Sequence, residues 1–540
     1  MREGAVALDV TARGGERQGG EQGKKTLHPV ASRGAVSGGG TLAMMRASSD
    51  GTTWPSARAS ALGVSAFSRV RCVGTCSSSA IRHDVPPGRR QVKRAAGLAG
   101  PAAGVPASPP LDRGLAGGED GAAEQPHGGW LMGVVSVSRR AALSAGGGLA
   151  VAALAGPRPA GAQGAPIRIG ELNSYSRMAA FSVPYRNAMQ LAADTINNAG
   201  GVMGGRRMEF IFRDDGSTPG DAVRVAEDLL TREGCAFIAG TFLSNVGLAV
   251  ADLANQRKKL FLATEPLTDA ITMAQGNRYT FRIRPSTYMQ TRMLVEAARG
   301  KTQKRWAIVA PNYEYGQSAA ANFKKLIGGV IPGAEIVAEQ YPALGRVDAG
   351  ATVGALAQAR PDAIFNVLFG PDLTTFVREG NTRGLFERRL VVGLLTGEPE
   401  YMLPLGDECP EGWIVTGYPW DQVEAPAHKA FVEAYRGRFN DTPRLGSLLG
   451  YVTVQIVANV LNKANSTETE ALVDALTGLR TETVSGPVTM RALDHQGTLG
   501  AWVGETVLRG RAGTMRNWRY ADGADYMFPE AEVRAARPSS

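Results

Sequence analysis

The sequence predicts an α/β protein of two doubly wound lobes, on three observations. Short apolar runs alternate with helical patterns of roughly 10–15 residues, the order expected of parallel sheets covered by helices. The alternation begins at Ile167 and restarts after "FRIRPS" (281–286), which gives two successive units. The 378 residues from 163 to 540 are more than one compact core holds.

The elements follow in chain order. "IRIGEL" (167–172) reads as a short apolar strand. Tyr185 to Asn198 reads as a helix, because Ala188, Leu191, Ala192, Thr195 and Ile196 share one face. Gly200-Gly201 ends it. Met208, Phe210 and Phe212 alternate as a strand. Ser217-Thr218-Pro219 starts the next helix, with a capping hydroxyl and a proline in the first turn. Val223, Ala226, Leu229 and Leu230 form its apolar face. "CAFIAG" (235–240), a helix over 246–256 and "LFLAT" (260–264) complete the first unit. The second holds strands at "RWAIVAP" (305–311), "AEIVAEQ" (334–340), "DAIFNVL" (362–368) and "RLVVGLL" (389–395), with helices at 316–327, 349–359 and 373–383. Past "GWIVTGYP" (412–419), helical patterns cover 425–439, 446–463 and 468–478, and strand-like pieces lie at 487–491 and 499–507.

Residues 1–131 are rich in Gly, Ala, Ser, Arg and Pro and show no sustained periodicity. Such a composition buries too little apolar surface to offset the entropy of ordering, so this segment is expected to be disordered. An export signal stands at 132–162: Arg139-Arg140, an apolar and small-residue run from Ala141 to Ala155, and Ala160-Gly161-Ala162 as the cleavage site. Its Ser-Arg-Arg-x-x-Leu order is like a twin-arginine signal. The run is too short and glycine-rich for the ~20 residues of a membrane span. A signal belongs at a chain start, so translation is expected to begin at or near Met132, with 1–131 a mis-called extension. Residues 1–162 hold 19 of the 59 basic and 10 of the 50 acidic residues, which leaves 40 of each. The net charge of +9 thus belongs to the part removed on export. The neutral remainder gives no electrostatic reason to expect nucleic acid.

Catalytic signatures are lacking in 163–540. "RGKTQ" (299–303) contains Gly-Lys-Thr, but Val295 stands where a phosphate loop needs its first glycine, so it reads as a helix end and turn. "GGVMGGRR" (200–207) leaves a helix and enters a strand, the reverse of a dinucleotide loop. His428 and His495 lie far apart, with no metal-ligand spacing. The chain is therefore expected to be no enzyme and to carry no cofactor or metal. Cys235 and Cys409 allow one disulfide or two buried thiols, and the thiols are the expectation. In open α/β sheets, ligands sit beyond the carboxyl ends of the strands. That selects loops 173–183, 241–246, 264–269, 311–316, 368–372 and 395–401, whose Asn, Ser, Thr, Tyr, Phe and Glu suit a small polar or amphiphilic ligand.

Six stretches together resemble the solute-binding proteins of branched-chain amino acid ABC transporters, which have the type I periplasmic binding protein fold. They are "ADTINNAGGVMGGRRMEFIFRDDGSTPGDAVRVAEDLL", "FIAGTFLSNVGLAVADLA", "YTFRIRPS", "WAIVAPNYEYGQS", "PDAIFNVL" and "SGPVTM", spread over roughly 165–510. The amide- and urea-binding branch of the family shares these marks. The resemblance implies two Rossmann-like lobes joined by a three-crossing hinge, near Arg284-Pro285, Gly417-Tyr418 and Gly486-Pro487. The lobes would be 165–285 with 418–485, and 286–417 with 487–525, followed by a C-terminal tail at 526–540.

The resemblance also implies ligand contacts. The Ser244 hydroxyl would take the ligand's carboxylate or amide beside a helix N-terminus. Asn245, Thr264 and Glu265 would lie near it, and Phe181, Tyr315 (or Tyr313) and Phe369 would be aromatic walls. The family's second-lobe acid, which pairs with a ligand ammonium, falls by spacing on Leu395; Glu398 reaches the same place if the loop carries a small insertion. With Leu395 there, a buried ammonium would lack its partner, and the ligand would not be an α-amino acid. The implied function is that of an exported, monomeric binding protein, cleaved near Ala162 and working in the periplasm. It would capture a hydrophobic or branched-chain amino acid and present it to an inner-membrane ABC permease. The alternatives are an amide, urea or small carboxylate, aromatic acids included, or a ligand-sensing regulator of the same fold.

Overall fold

The structure, a computed structural model, describes residues 164–538. The extension and export signal expected over 1–162 lie outside the described residues. The first unit runs β1 (Ile167–Asn173), α1 (Ala179–Asn198), β2 (Met208–Asp214), α2 (Pro219–Thr231), β3 (Ile238–Gly240), α3 (Ser244–Arg257), β4 (Phe261–Ala263) and β5 (Thr280–Arg282). Its strands form one wholly parallel sheet in the order β2-β1-β3-β4-β5.

The second unit begins with α4 (Thr287–Ala297), β6 (Arg305–Val309), α5 (Glu314–Val330), β7 (Glu335–Gln340), α6 (Ala349–Ala359) and β8 (Ala363–Asn366). It continues with α7 (Gly370–Thr382), β9 (Leu390–Gly397), α8 (Pro399–Met402) and β10 (Ile414–Gly417). Then come α9 (Pro426–Phe439), α10 (Leu445–Ala464), α11 (Thr469–Leu476) and a separate hairpin of β11 (Arg480–Thr483) and β12 (Gly486–Thr489). β13 (Ala501–Arg509), β14 (Ala512–Ala521) and α12 (Glu530–Ala536) close the chain. The second sheet is ordered β14-β13-β10-β9-β8-β6-β7, parallel from β7 to β10 and antiparallel across β13 and β14.

Local chemistry explains most boundaries. Thr218 caps α2 by accepting the Asp221 N–H, and Pro219 fills the first turn. α1 starts ahead of the helical pattern at Tyr185, because Phe181 and Ser182 are buried and hold an earlier turn in place. Pro184 forgoes one helix bond there. α10 packs along α1. Glycine makes this approach possible: a Cβ on Gly450 would lie 2.2 Å from the Tyr185 carbonyl oxygen. α10 is apolar and long enough to cross a membrane, but most of it is buried inside the protein.

The chain leaves the first sheet after Arg282 and joins the second at Arg305. It leaves the second sheet after Gly417 for α9 and α10. It returns between Gln496, which bridges Arg282, and Ala501. This last passage lies later than the Gly486-Pro487 turn, which belongs to the β11–β12 hairpin. The C-terminal residues are tied down. Val533 of α12 is buried, and the Arg537 guanidinium donates to the carbonyls of Thr272 (2.7 Å), Asn277 (2.8 Å) and Asp494 (3.1 Å). Cys235 and Cys409 are free thiols, both buried.

Candidate functional site

The carboxyl ends of both sheets converge on one small cavity. After β3, Gly240 (φ +116°) and Thr241 (φ +61°) turn the chain sharply. A Cβ on Gly240 would meet the Leu172 carbonyl oxygen at 2.3 Å, so glycine is required at this turn. The turn carries Phe242 over the sheet end and starts α3 at Ser244. Leu243 is the extended residue ahead of α3, so Ser244 does not cap its own helix. Its Oγ instead accepts the N–H groups of Leu267 (3.3 Å) and Thr268 (3.2 Å), pinning the loop after β4 to the start of α3. The hydroxyl proton is left to donate.

The second sheet supplies Tyr313 and Tyr315 at the start of α5, Phe369 ahead of α7, and Leu395 in β9. Gly393 pairs with Val415 but Gly397 pairs with Gly417, so β9 bulges by two residues against β10. Leu395 sits in that bulge at φ +67°, a strained conformation for a branched side chain. The Thr416 hydroxyl accepts its N–H (2.9 Å). The bulge directs Leu395 into the cavity.

Phe242, Ser244, Glu265 and Leu267 from one side, Tyr313, Tyr315, Phe369 and Leu395 from the other, and Arg284 at the junction line one small cavity. The aromatic wall is continuous. Ring centroids of Phe181 and Phe242 are 4.9 Å apart, those of Phe242 and Phe369 6.0 Å, and those of Phe369 and Tyr315 5.6 Å. Edge-on and tilted pairs at these distances are favourable.

The charges around the cavity are buried. Arg284 forms an ion pair with Glu398 and lies 5.4 Å over the Phe181 ring. Burial works against the Arg284 charge, but Glu398 together with Tyr401, Glu265 and Glu400 outweighs it and keeps the guanidinium protonated. Glu398 does not line the cavity. With Arg284 it borders a second one, beside Thr416-Gly417 and Gly500-Ala501. Glu265 accepts from Asn173 Nδ2 (3.2 Å) through Oε1, while its Oε2 has no partner. Behind it, Glu171 accepts from Tyr175 and from Asn173 Nδ2 (3.4 Å). Glu400 accepts the Gly446 N–H (2.7 Å) at the start of α10. Burial pushes the Glu171 carboxyl up to about 8 and Glu265 well above the usual carboxylate range; the Arg284 charge opposes the second shift.

The structure therefore brings Ser244, Glu265, Tyr315 and Phe369 onto one cavity, with Phe181 in a second row. Thr264 is buried behind the wall, where its hydroxyl accepts from the Tyr185 OH (3.1 Å). Asn245 follows Ser244 on α3, with a buried Oδ1 lacking a partner. Sequence reasoning took Arg284 only as a crossing point. A charged residue inside the apolar "FRIRP" run was the available signal. Phe242 and Leu267 lay in two of the loops selected for inspection. Among the described residues, no three His, Cys, Asp or Glu side chains are grouped to hold a metal ion.

A family model described as "Periplasmic binding protein" matches residues 166–512. The Leu/Ile/Val-binding protein homolog 7 of Brucella suis biovar 1 is 27% identical over 356 residues, covering 62% of this chain and 86% of that protein. Two solved structures share the fold. One is a solute-binding protein of an ABC transporter from Rhodopseudomonas palustris BisB5, in complex with 3,4-dihydroxybenzoic acid; it has a TM-score of 0.60 and 22% identity, over 66% of this chain and 98% of that one. The other is the closed conformation of the leucine-, isoleucine-, valine-, threonine- and alanine-binding protein from Brucella ovis, with a TM-score of 0.61 and 19% identity, over 67% and 97%.

Proposed function

Because the chain belongs to the periplasmic binding protein family, we propose that it is the exported solute-binding component of an ABC importer, with a hydrophobic or branched-chain amino acid as ligand. One observation carries this reading: a single cavity is lined from both sheets, by Ser244 and Glu265 on one side and Tyr315 and Phe369 on the other. A ligand that touches both lobes favours the closed arrangement over the open one, because only differential contact shifts such an equilibrium.

The lobes take 165–285 with 418–485, and 286–417 with the strands after Gly500, so that the three passages between sheets act as the hinge. The Ser244 hydroxyl and the first amides of α3, Asn245 included, receive the ligand's carboxylate. Tyr315, Phe369 and Phe242 wall its side chain, backed by Phe181. Thr264 acts indirectly by fixing Tyr185, and Glu398 by holding Arg284. Capture is the whole of the activity, since the sequence offers no paired nucleophile and base. The closed form is presented as a monomer to an inner-membrane permease, after export and cleavage near Ala162. The name of the Brucella suis relative supports the ligand class.

A second reading has its own support. The Arg284 guanidinium and the aromatic wall face the same cavity, which suits an aromatic carboxylate, and the Rhodopseudomonas palustris protein holds one. A thermal-shift comparison of L-leucine with benzoate on the full chain decides. A ligand that binds the folded form raises the midpoint by mass action. Leucine is expected to raise it. Benzoate alone doing so favours the second reading, and neither doing so rejects both.

A further inference from the structure

We infer that Glu265, on the first lobe, receives the ligand's ammonium group and gives up a proton when it does so. This deepens the amino-acid reading and rests on it. In the second lobe the place expected for an acid holds Leu395, and Glu398 is taken by Arg284. Glu265 is the carboxyl that lines the cavity; it is 1% exposed, with one oxygen held by Asn173 and the other unmet. Glu398 and Glu400 also leave one oxygen each without a partner, but neither lines the cavity.

Charge balance points the same way. Facing Glu265 are Glu171 from β1, Glu400 from α8, the Tyr175 and Tyr185 hydroxyls, and Arg284 after β5, with Glu398 of the β9–α8 turn on the Arg284 guanidinium. Arg186 on α1 lies farther back, 5.2 Å over the Tyr175 ring. Three buried carboxyls, Glu265, Glu398 and Glu400, thus face one buried guanidinium, which Glu398 already engages, and Glu171 adds a fourth carboxyl beside Glu265. An unpaired buried carboxylate is strongly disfavoured, so the free form holds Glu265 neutral. An entering ammonium supplies the missing positive charge. The Glu265 proton passes to bulk water, and no covalent bond of the ligand changes. The bound form then carries one proton fewer, so raising the pH tightens binding, by up to about tenfold per pH unit.

The test uses calorimetry on the full chain, with L-leucine and with 4-methylpentanoate, which has the same skeleton without the ammonium. The native protein and Glu265→Gln are compared at about pH 5.5 and about pH 7.5, a range in which ordinary carboxylates stay ionised. The native protein is expected to prefer leucine by about 100-fold or more, and to bind it more tightly at the higher pH. Glu265→Gln should lose both the preference and the pH slope. Repeating the native titration in two buffers of different ionisation enthalpy counts the proton directly, whatever the variant's folding. A count of zero overturns the inference, as does unaltered leucine binding by Glu265→Gln or equal binding of the two ligands. If leucine fails to bind the native protein at either pH, the amino-acid reading itself falls, and this inference with it.

Discussion

Ser244 Oγ accepts two backbone N–H bonds from the loop after β4, so the side chain has a task in the fold besides its place at the cavity. Ser244→Ala leaves those buried donors unmet, at a cost of about 1–3 kcal/mol. Urea denaturation without ligand should register that loss, and calorimetry with leucine should register a weaker affinity beyond it; an unchanged denaturation midpoint would contradict the first role. Glu171 gives a prediction in pH. Its folded pKa, pushed by burial to about 8, lies above its unfolded value of 4.5. The folded state therefore holds the proton more tightly, and the stability this group contributes is full below about pH 4.5 and lost as pH rises to about 8. Glu171→Gln cannot ionise. Its stability relative to the native protein should rise between about pH 5 and about pH 8, as measured by urea denaturation at both; a constant difference would contradict the shift. At this scale the sequence was informative where a residue lies within a few positions of a strand's carboxyl end, as Ser244, Glu265 and Phe369 do. Leu395 and Arg284 were less legible. The inward turn of Leu395 depends on a bulge that exists only when β9 is paired with β10, and Arg284 acquires its partner from a residue 114 positions away.

Elements built on local chemistry were legible to within a residue or two. α6 spans Ala349–Ala359, the expected range, because Asp348 accepts the Ala351 N–H (2.9 Å) and Arg360 ends the helix in a left-handed conformation. α2 follows from Thr218 and Pro219. Elements that depend on distant partners were not. β14 exists by pairing with β13 across the edge of the second sheet, and α12, only seven residues long, is held by contacts to the first unit. The α1–α10 packing makes a sharp test at this scale. Gly450→Ala would drive a Cβ to 2.2 Å from the Tyr185 carbonyl oxygen and should destabilise by about 1–3 kcal/mol or more. Gly437→Ala, in α9 with open space around it, should instead stabilise by roughly 0.5–1 kcal/mol. Thermal unfolding of both variants checks the pair, and two shifts of the same sign would contradict the packing argument.

The two-unit organisation was visible in the restart of strand–helix alternation after residue 286, since each parallel sheet needs its own run of crossovers. The relation between the units was not, because it rests on contacts far apart in sequence. Thr268 donates to Glu314 (2.6 Å), and the Gly446 N–H donates to Glu400 (2.7 Å). Phe242 reaches Phe369 from the opposite sheet. These contacts join the two sheets around the cavity, so a ligand adds to an interface that the protein already makes for itself. The crystal structure of the protein grown with L-leucine examines this directly. The amino acid is expected in the cavity, with its carboxylate at Ser244, its ammonium at Glu265 Oε2 and its side chain against Tyr315 and Phe369. Leucine bound elsewhere, or touching residues of one sheet alone, would contradict it.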